Sequence, residues 1–428
     1  MRLEVGNILI NDIQFGDRTE VKAGVLFVNR EELAQVTGDD DRIASVEIYL
    51  AKPGEEIRII PVKDVIEPRI KVSGKGGIFP GLISKVDTVG EGRTHVLKGA
   101  AVVTTGRIVG FQEGLIDMAG PGAEYTPFSK TMNVVLKVEP VEGLHQHEHE
   151  RVVRLAGLRA AEYLGRAGQS VEPDSVEVYE TKPLLEQVKE YPDLPKVVYV
   201  YMLITQGLLH DTYFYGVDAK QIIPTFVYPT EVMDGAVVSG NCVSACDKNL
   251  TYIHQNNPVI QDLYERHGKD LNFIGCVITN ENVTLADKER SSNMTAKLVE
   301  FLGADGAIIS EEGFGNPDTD MIMNCYKIEE KGIKTVLITD EYAGRDGASQ
   351  SLADSTEKGD AVVSTGNANE IIKLPPMKTV IGYPEATDII AGGSDGSLGE
   401  DGSITAEIQI IIGSTNELGY GLLTAKGR

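Results

Sequence analysis

The chain contains no tryptophan, only 7 histidines and only 4 cysteines. The cysteines, at 242, 246, 276 and 325, show neither CxxC spacing nor the density of a disulfide scaffold, so free thiols in a reducing compartment are expected, with Cys276 and Cys325 as core residues. Long apolar runs are also missing. The longest, VVYVYMLI from Val197 to Ile204, is too short to cross a bilayer, and the N-terminus MRLEVGNILI lacks the basic start and apolar stretch of a secretory leader. Basic residues are scarce as well: 40 Lys and Arg stand against 64 Asp and Glu, a formal net charge of −24. Such a field repels nucleic acid and anionic membranes, so neither is expected as a partner, and the cytoplasm is the expected location.

What is present belongs to an ordinary α/β protein of more than one domain, with 42% hydrophobic and 24% charged residues. Residues 1–140 read as a strand-rich N-terminal domain, because LEVGNILI, AGVLFV, ASVEIYLA, EIRIIPV and MNVVLKV are short, β-branched and bounded by Gly, Pro and Asp. Residues 141–428 read as an α/β domain. Between the early strands, the glycines around Ser73, Lys75 and Gly81 lack P-loop spacing and predict a mobile surface loop. In LHQHEHE, His145, His147 and His149 share a face if the segment is extended, a metal-like pattern without a fourth ligand. The same histidines decorate a solvated helix start if the helical periodicity of 148–164 extends back to them, and no metal is assigned.

Beyond residue 242 the pattern becomes strands alternating with amphipathic helices: FIGCVIT, a helix near Ser292–Leu302, AIIS, a helix near Asp318–Lys331, then TVLIT. This predicts a Rossmann-like parallel sheet flanked by helices. Ligands in such sheets bind beyond the carboxyl ends of the strands, which places Glu281, Glu311 and Asp340 along one rim as candidate substrate or processing residues. Each also reads, taken singly, as a helix cap. GFGNP at 313–317 is a turn into a helix and not a dinucleotide fingerprint. A glycine-rich loop at 392–402 precedes an expected apolar strand from Ile404 to Ile412.

At Ser239-Gly240-Asn241-Cys242 a thiol follows a flexible Gly-Asn pair after a turn-rich passage. A thiol so placed reaches the preceding carbonyl carbon when the backbone holds the Asn241-Cys242 amide under strain. Acyl transfer to sulfur, β-elimination to dehydroalanine and hydrolysis of its tautomer would leave a pyruvoyl group at position 242. Read from the residues alone, a cysteine after Gly-Asn is as easily a small residue in a turn or at a strand start.

The stretch SGNCVSACDKNLTYIHQNNPVI at 239–260, followed by FIGCVITNENVTLADKERSSNM at 273–294, resembles the α/β-subunit precursors of component B of glycine, sarcosine and betaine reductases. The proline reductase precursor is related to them. The resemblance runs end to end and implies cleavage at Asn241-Cys242 into chains 1–241 and 242–428, with Cys242 becoming the pyruvoyl cofactor and Cys246 its nearest rival. Asn241 would hold the scissile carbonyl, and His254 or His210 would move protons. It further implies a pyruvoyl-dependent oxidoreductase component of amino-acid fermentation that holds glycine as a Schiff base for reductive deamination. The implied partners are a selenocysteine-containing subunit of component B, the small selenoprotein component A and the acetyl phosphate-forming component C. Sarcosine or betaine as substrate, and a non-catalytic assembly subunit, stay open at this level, while a pyruvoyl decarboxylase is disfavoured because those generally cut before serine.

Overall fold

The computed structural model describes residues 1–108, 114–206, 212–240, 248–384, 396–416, 418 and 423–424. It is a mixed α/β architecture built on three larger sheets. All five early strands are present, at Arg2–Leu9, Val25–Val28, Ile43–Ala51, Ile57–Ile66 and Met132–Pro140. Arg2–Leu9 lies between Ser175–Glu180 and Gly92–Lys98 in a four-stranded sheet closed by Arg69–Ser73. Ile57–Ile66 and Met132–Pro140 flank Ala100–Thr105 in a second sheet, and Thr379–Gly382 joins it by pairing in parallel with Ile57–Ile66.

The helix Gln146–Arg166 packs on these sheets through Val152, Val153, Ala156, Ala160, Ala161 and Leu164, which recur at helical spacing on one buried face. Gly165 permits its close approach, since a Cβ there would lie 2.2 Å from the Arg69 carbonyl oxygen. His145 is the N-cap of this helix, and His147 and His149 lie in its first turns. The extended, one-faced triplet is therefore corrected: two-residue steps on a helix turn about 200°, so the three rings do not converge. The 73–81 loop differs from expectation in its second half. Ser73, Gly74 and Lys75 are exposed, but Ile78 and Phe79 are buried, and a Cβ on Gly81, at φ +81°, would lie 2.2 Å from the Tyr215 carbonyl oxygen, so that half is packed into the structure.

The third sheet runs Thr225–Val227, Asn272–Glu281, Lys196–Ile204, Gly306–Ser310, Lys334–Glu341, Val362–Asn367; the first pair is antiparallel and the rest parallel. The run VVYVYMLI is a central strand of this sheet, and its alternation explains its composition. Val198, Val200 and Met202 meet the helices Leu285–Phe301 and Asn316–Glu329, while Tyr199, Tyr201 and Leu203 pack with Val62, Val65, Ile253 and Ile260 on the other face. Leu285–Phe301 starts seven residues before the expected point, capped by Thr284, which accepts from Asp287 N at 3.2 Å. Its early buried face is Lys288, Ser291, Ser292 and Thr295, a polar stripe that apolar periodicity does not reveal. At the C-terminal side, the expected strand 404–412 is a strand only over Ile404–Glu407, then a 3₁₀ turn at Ile408–Ile410 whose apolar side chains are buried. Pairing with Ile371–Leu374 ends at Ile371 opposite Glu407, which frees the chain to turn inward. Among the described residues no helix is long and apolar enough to cross a membrane.

Candidate functional site

The carboxyl ends of the parallel strands meet at one rim. Glu281 ends its strand, Glu311 and Glu312 follow Ser310 directly, and Asp340 lies near the end of Lys334–Glu341. All four are buried, and Asp318 and Asp320, on the first turns of Asn316–Glu329, join them. Glu281 Oε1 accepts from Glu312 N at 2.7 Å, while Oε2 is buried without a hydrogen-bond partner among the described residues. Glu311 Oε1 accepts from the Thr339 hydroxyl, and its Oε2 is likewise unmatched. Glu312 takes the backbone N–H of Ile204 at 2.6 Å and of Asn249 at 2.8 Å. Asp320 pairs with Lys288.

Burial raises Glu281, Glu311, Glu312, Asp318 and Asp320, and at Glu281 and Glu311 the neighbouring acids add to it. Burial, then Glu312 and Glu311, pushes the Glu281 carboxyl well above its usual range, and burial, then Asp318 and Asp340, does the same to Glu311. Burial pushes Glu312 up to about 7 and Asp320 to about 6. Glu281 and Glu311 are the acids of this rim that burial and their acidic neighbours push furthest toward holding a proton. Lys248, 2% exposed, supplies a nearby positive charge whose field opposes the rise at Glu312 and at Asp64.

Asp64 comes from the second sheet and is fully buried. Its Oδ1 accepts from Val65 N at 2.9 Å and Thr251 N at 3.0 Å, and its Oδ2 accepts the Thr251 hydroxyl at 2.7 Å. Burial raises it to about 7. The Thr251 oxygen in turn accepts from Ser239 N at 3.1 Å. Ser239 and Lys248 to Thr251 are the buried flanks of residues 241–247. Upstream, Asp234 in the turn Val232–Ala236 accepts from Thr94 Oγ1 at 2.6 Å and Gly90 N at 2.8 Å and pairs with Lys71, so the approach to Ser239 is fixed as well.

Asn241, Cys242 and Cys246, and also His210, lie outside the described residues. His254 is buried, with Nδ1 2.6 Å from the Tyr201 hydroxyl. Burial and the charge of Lys248 lower it to about 3, so it is a neutral imidazole. Cys276 and Cys325 are free and buried, as expected of core thiols, and burial raises both. Among the described residues no group of three His, Cys, Asp or Glu is arranged to hold a metal. The structure therefore brings Glu281, Glu311 and Asp340 together, and adds Glu312, Asp318, Asp320, Asp64, Lys248, Thr251 and Tyr201. A charged Lys63-Asp64 pair inside the apolar strand IRIIPVKDVI was the sequence signal for Asp64.

A family model for glycine/sarcosine/betaine reductase component B subunits matches residues 1–426. The chain belongs to this family. It is 68% identical to glycine reductase complex component B subunits alpha and beta of Acetoanaerobium sticklandii, over the whole of both chains. It is 63% identical to sarcosine reductase complex component B subunit alpha of Peptoclostridium acidaminophilum, again over all of both. D-proline reductase proprotein PrdA of Acetoanaerobium sticklandii is 22% identical, across 78% of this chain and 54% of that protein. No solved structure matches. Component B names one part of a reductase complex of several subunits, and that is the setting of this chain.

Proposed function

We propose that this chain is the self-processing precursor subunit of a glycine reductase component B, cut between Asn241 and Cys242 into segments 1–241 and 242–428. Cys242 gives rise to a pyruvoyl group beside the rim of a Rossmann-like parallel sheet. The observation that carries this reading is the fixation of both flanks of 241–247 by buried carboxyl groups, Asp64 through Thr251 and Glu312 through Asn249. A slow acyl shift requires that the chain on either side of the amide be held, and these contacts hold both sides. The proprotein name of the PrdA relative agrees with a precursor.

The buried flank residue Lys248 offers positive charge to a carbonyl electrophile, and Glu281 and Glu311, raised by burial, favour their acid forms. Once formed, the pyruvoyl group supplies a ketone that captures a substrate amine. The chain's own residues do the rest of its share. Glu281 Oε2 and Glu311 Oε2 hold protons for the departing nitrogen. Tyr201 orients His254 as a neutral relay. The nucleophile comes from a selenocysteine-bearing partner subunit, with the small selenoprotein component A and the acetyl phosphate-forming component C downstream, all in the cytoplasm. Glycine has the free amine this chemistry needs; sarcosine's secondary amine can also be captured, while a quaternary ammonium such as betaine cannot.

Such a cut leaves one folded body. Lys196–Ile204, from the first segment, lies between Asn272–Glu281 and Gly306–Ser310 of the second, and Thr379–Gly382 pairs with Ile57–Ile66 of the first. The test is therefore intact mass under denaturing conditions, with and without glycine and borohydride. Two fragments split at 241–242, the second gaining a reduced glycine adduct, are expected. A single uncut 46.3 kDa chain overturns the reading and leaves a non-catalytic assembly subunit.

A further inference from the structure

Asp64 and Thr251 lie on separate elements, a strand of the second sheet and the start of the helix Thr251–Gln255, and their contact spans 187 residues of sequence. Thr251 Oγ1 lies 2.7 Å from Asp64 Oδ2, and the same oxygen accepts from Ser239 N at 3.1 Å, so one hydroxyl bridges the Asp64 carboxyl and the Ser239 backbone. Ser239 and Thr251 are 12 residues apart, and Asn241-Cys242 lies between them. One buried side chain thus gathers the two ends of the loop through a single hydroxyl.

We propose that Asp64 and Thr251 form a clamp that positions the Asn241-Cys242 amide for cleavage. This rests on the reading of the chain as self-processing. In the step served, the Cys242 Sγ–C bond forms at the Asn241 carbonyl carbon, the C–N bond breaks, and the thiol proton ends on the freed amine. Nothing is oxidised or reduced. An amide and a thioester differ in favour of the amide, so the shift proceeds only from a distorted peptide, and a loop with slack ends relaxes that distortion. The clamp removes the slack at Ser239, two residues before the scissile carbonyl, while Glu312 holds Asn249 on the far side. Neither Asp64 nor Thr251 needs to touch the reacting atoms; both act through the backbone and are positioning residues.

The test uses the full chain and follows the uncut fraction with time by intact mass, alongside thermal unfolding. Thr251→Val, which keeps the shape and removes the hydroxyl, and Asp64→Asn are each expected to slow the cut by about tenfold or more. Thr251→Ser, which restores the hydroxyl, is expected to cut close to the wild-type rate. Asp117→Asn is the control. It weakens the buried Asp117 pairing with Arg58 in the same sheet and is expected to lower the melting temperature while leaving the cutting rate unchanged. The clamp is overturned if folded Thr251→Val cuts at the wild-type rate, if Thr251→Ser is as slow as Thr251→Val, or if Asp117→Asn slows the cut equally at equal loss of stability. A wild-type chain that is never cut overturns the underlying reading instead, and the clamp with it.

Discussion

Buried acids in the N-terminal sheets and buried acids at the rim of the parallel sheet live under different rules. Asp117 meets Arg58 at 2.7 Å, Glu67 meets Arg69 at 2.5 Å, Asp234 meets Lys71, and Glu150 meets Arg154 at 2.7 Å. At the rim, Glu281, Glu311, Glu312, Asp318, Asp320 and Asp340 crowd together with Lys288 and Lys248 as the cations near them. Asp64 shares a strand with Arg58 but behaves like the rim acids. Glu67, beside Lys98 and Arg69, is held in its charged form, whereas burial pushes Asp117 upward even with Arg58 against it; a crowded rim acid such as Glu281 is driven toward holding its proton, which costs stability at higher pH and places titratable groups where chemistry can use them.

Four experiments sharpen or break that contrast. The largest effect belongs to the Asn241-Cys242 junction: Cys242→Ala is expected to abolish cleavage completely by intact mass, and Cys246→Ala to leave it. The reverse result moves the pyruvoyl position to 246. Next, Arg69→Met leaves Glu67 buried and deprived of its nearest cation, and a loss of about 3–5 kcal/mol is expected in denaturant titration. A loss below about 1 kcal/mol would place Glu67 with the rim acids.

The third experiment is the pH dependence of unfolding, where Glu312 and Glu67 have opposite signs. Glu312 has its folded value raised to about 7, so the folded state binds more protons there; that stabilisation is full below about 4.5 and disappears as pH rises through about 7. Its amplitude is up to about 3 kcal/mol. Burial pushes Glu67 upward, but the charges of Lys98 and Arg69 outweigh it and hold it low, so its contribution is present above about 4.5 and is lost as pH falls. Glu312→Gln is expected to reduce the fall in stability between pH 5 and 8, and a variant with the wild-type slope would remove Glu312 from the titrating set. The smallest effect is Tyr201→Phe, which deletes one hydrogen bond to His254 and is expected to cost about 1 kcal/mol by the same titration. A loss above about 3 kcal/mol would assign Tyr201 a larger structural part than orienting a neutral imidazole.

Much of this was legible before any coordinates. The early strands, the helix Asn316–Glu329 and the core cysteines followed from local periodicity, because each reports the burial of its own face. Glu281, Glu311 and Asp340 were found because strand ends in parallel sheets form a shared rim. The start of Leu285–Phe301 was missed because its buried face is polar there, and the 404–412 run was misread because a fully apolar sequence carries no period. The packed half of the 73–81 loop depends on Tyr215, far away in the chain.

The sequence by itself determined the alternation of elements, the acidic field, the family likeness and the Gly-Asn-Cys junction, all of which are local or compositional. Tertiary structure alone decided that Asp64 reaches Thr251, that Thr251 reaches Ser239, and that Glu312 grips Asn249. Those contacts join residues up to 187 positions apart. They exist because Lys196–Ile204 packs one face against the second sheet while its end abuts the acidic rim, and sheet order and layer packing leave no period in a sequence.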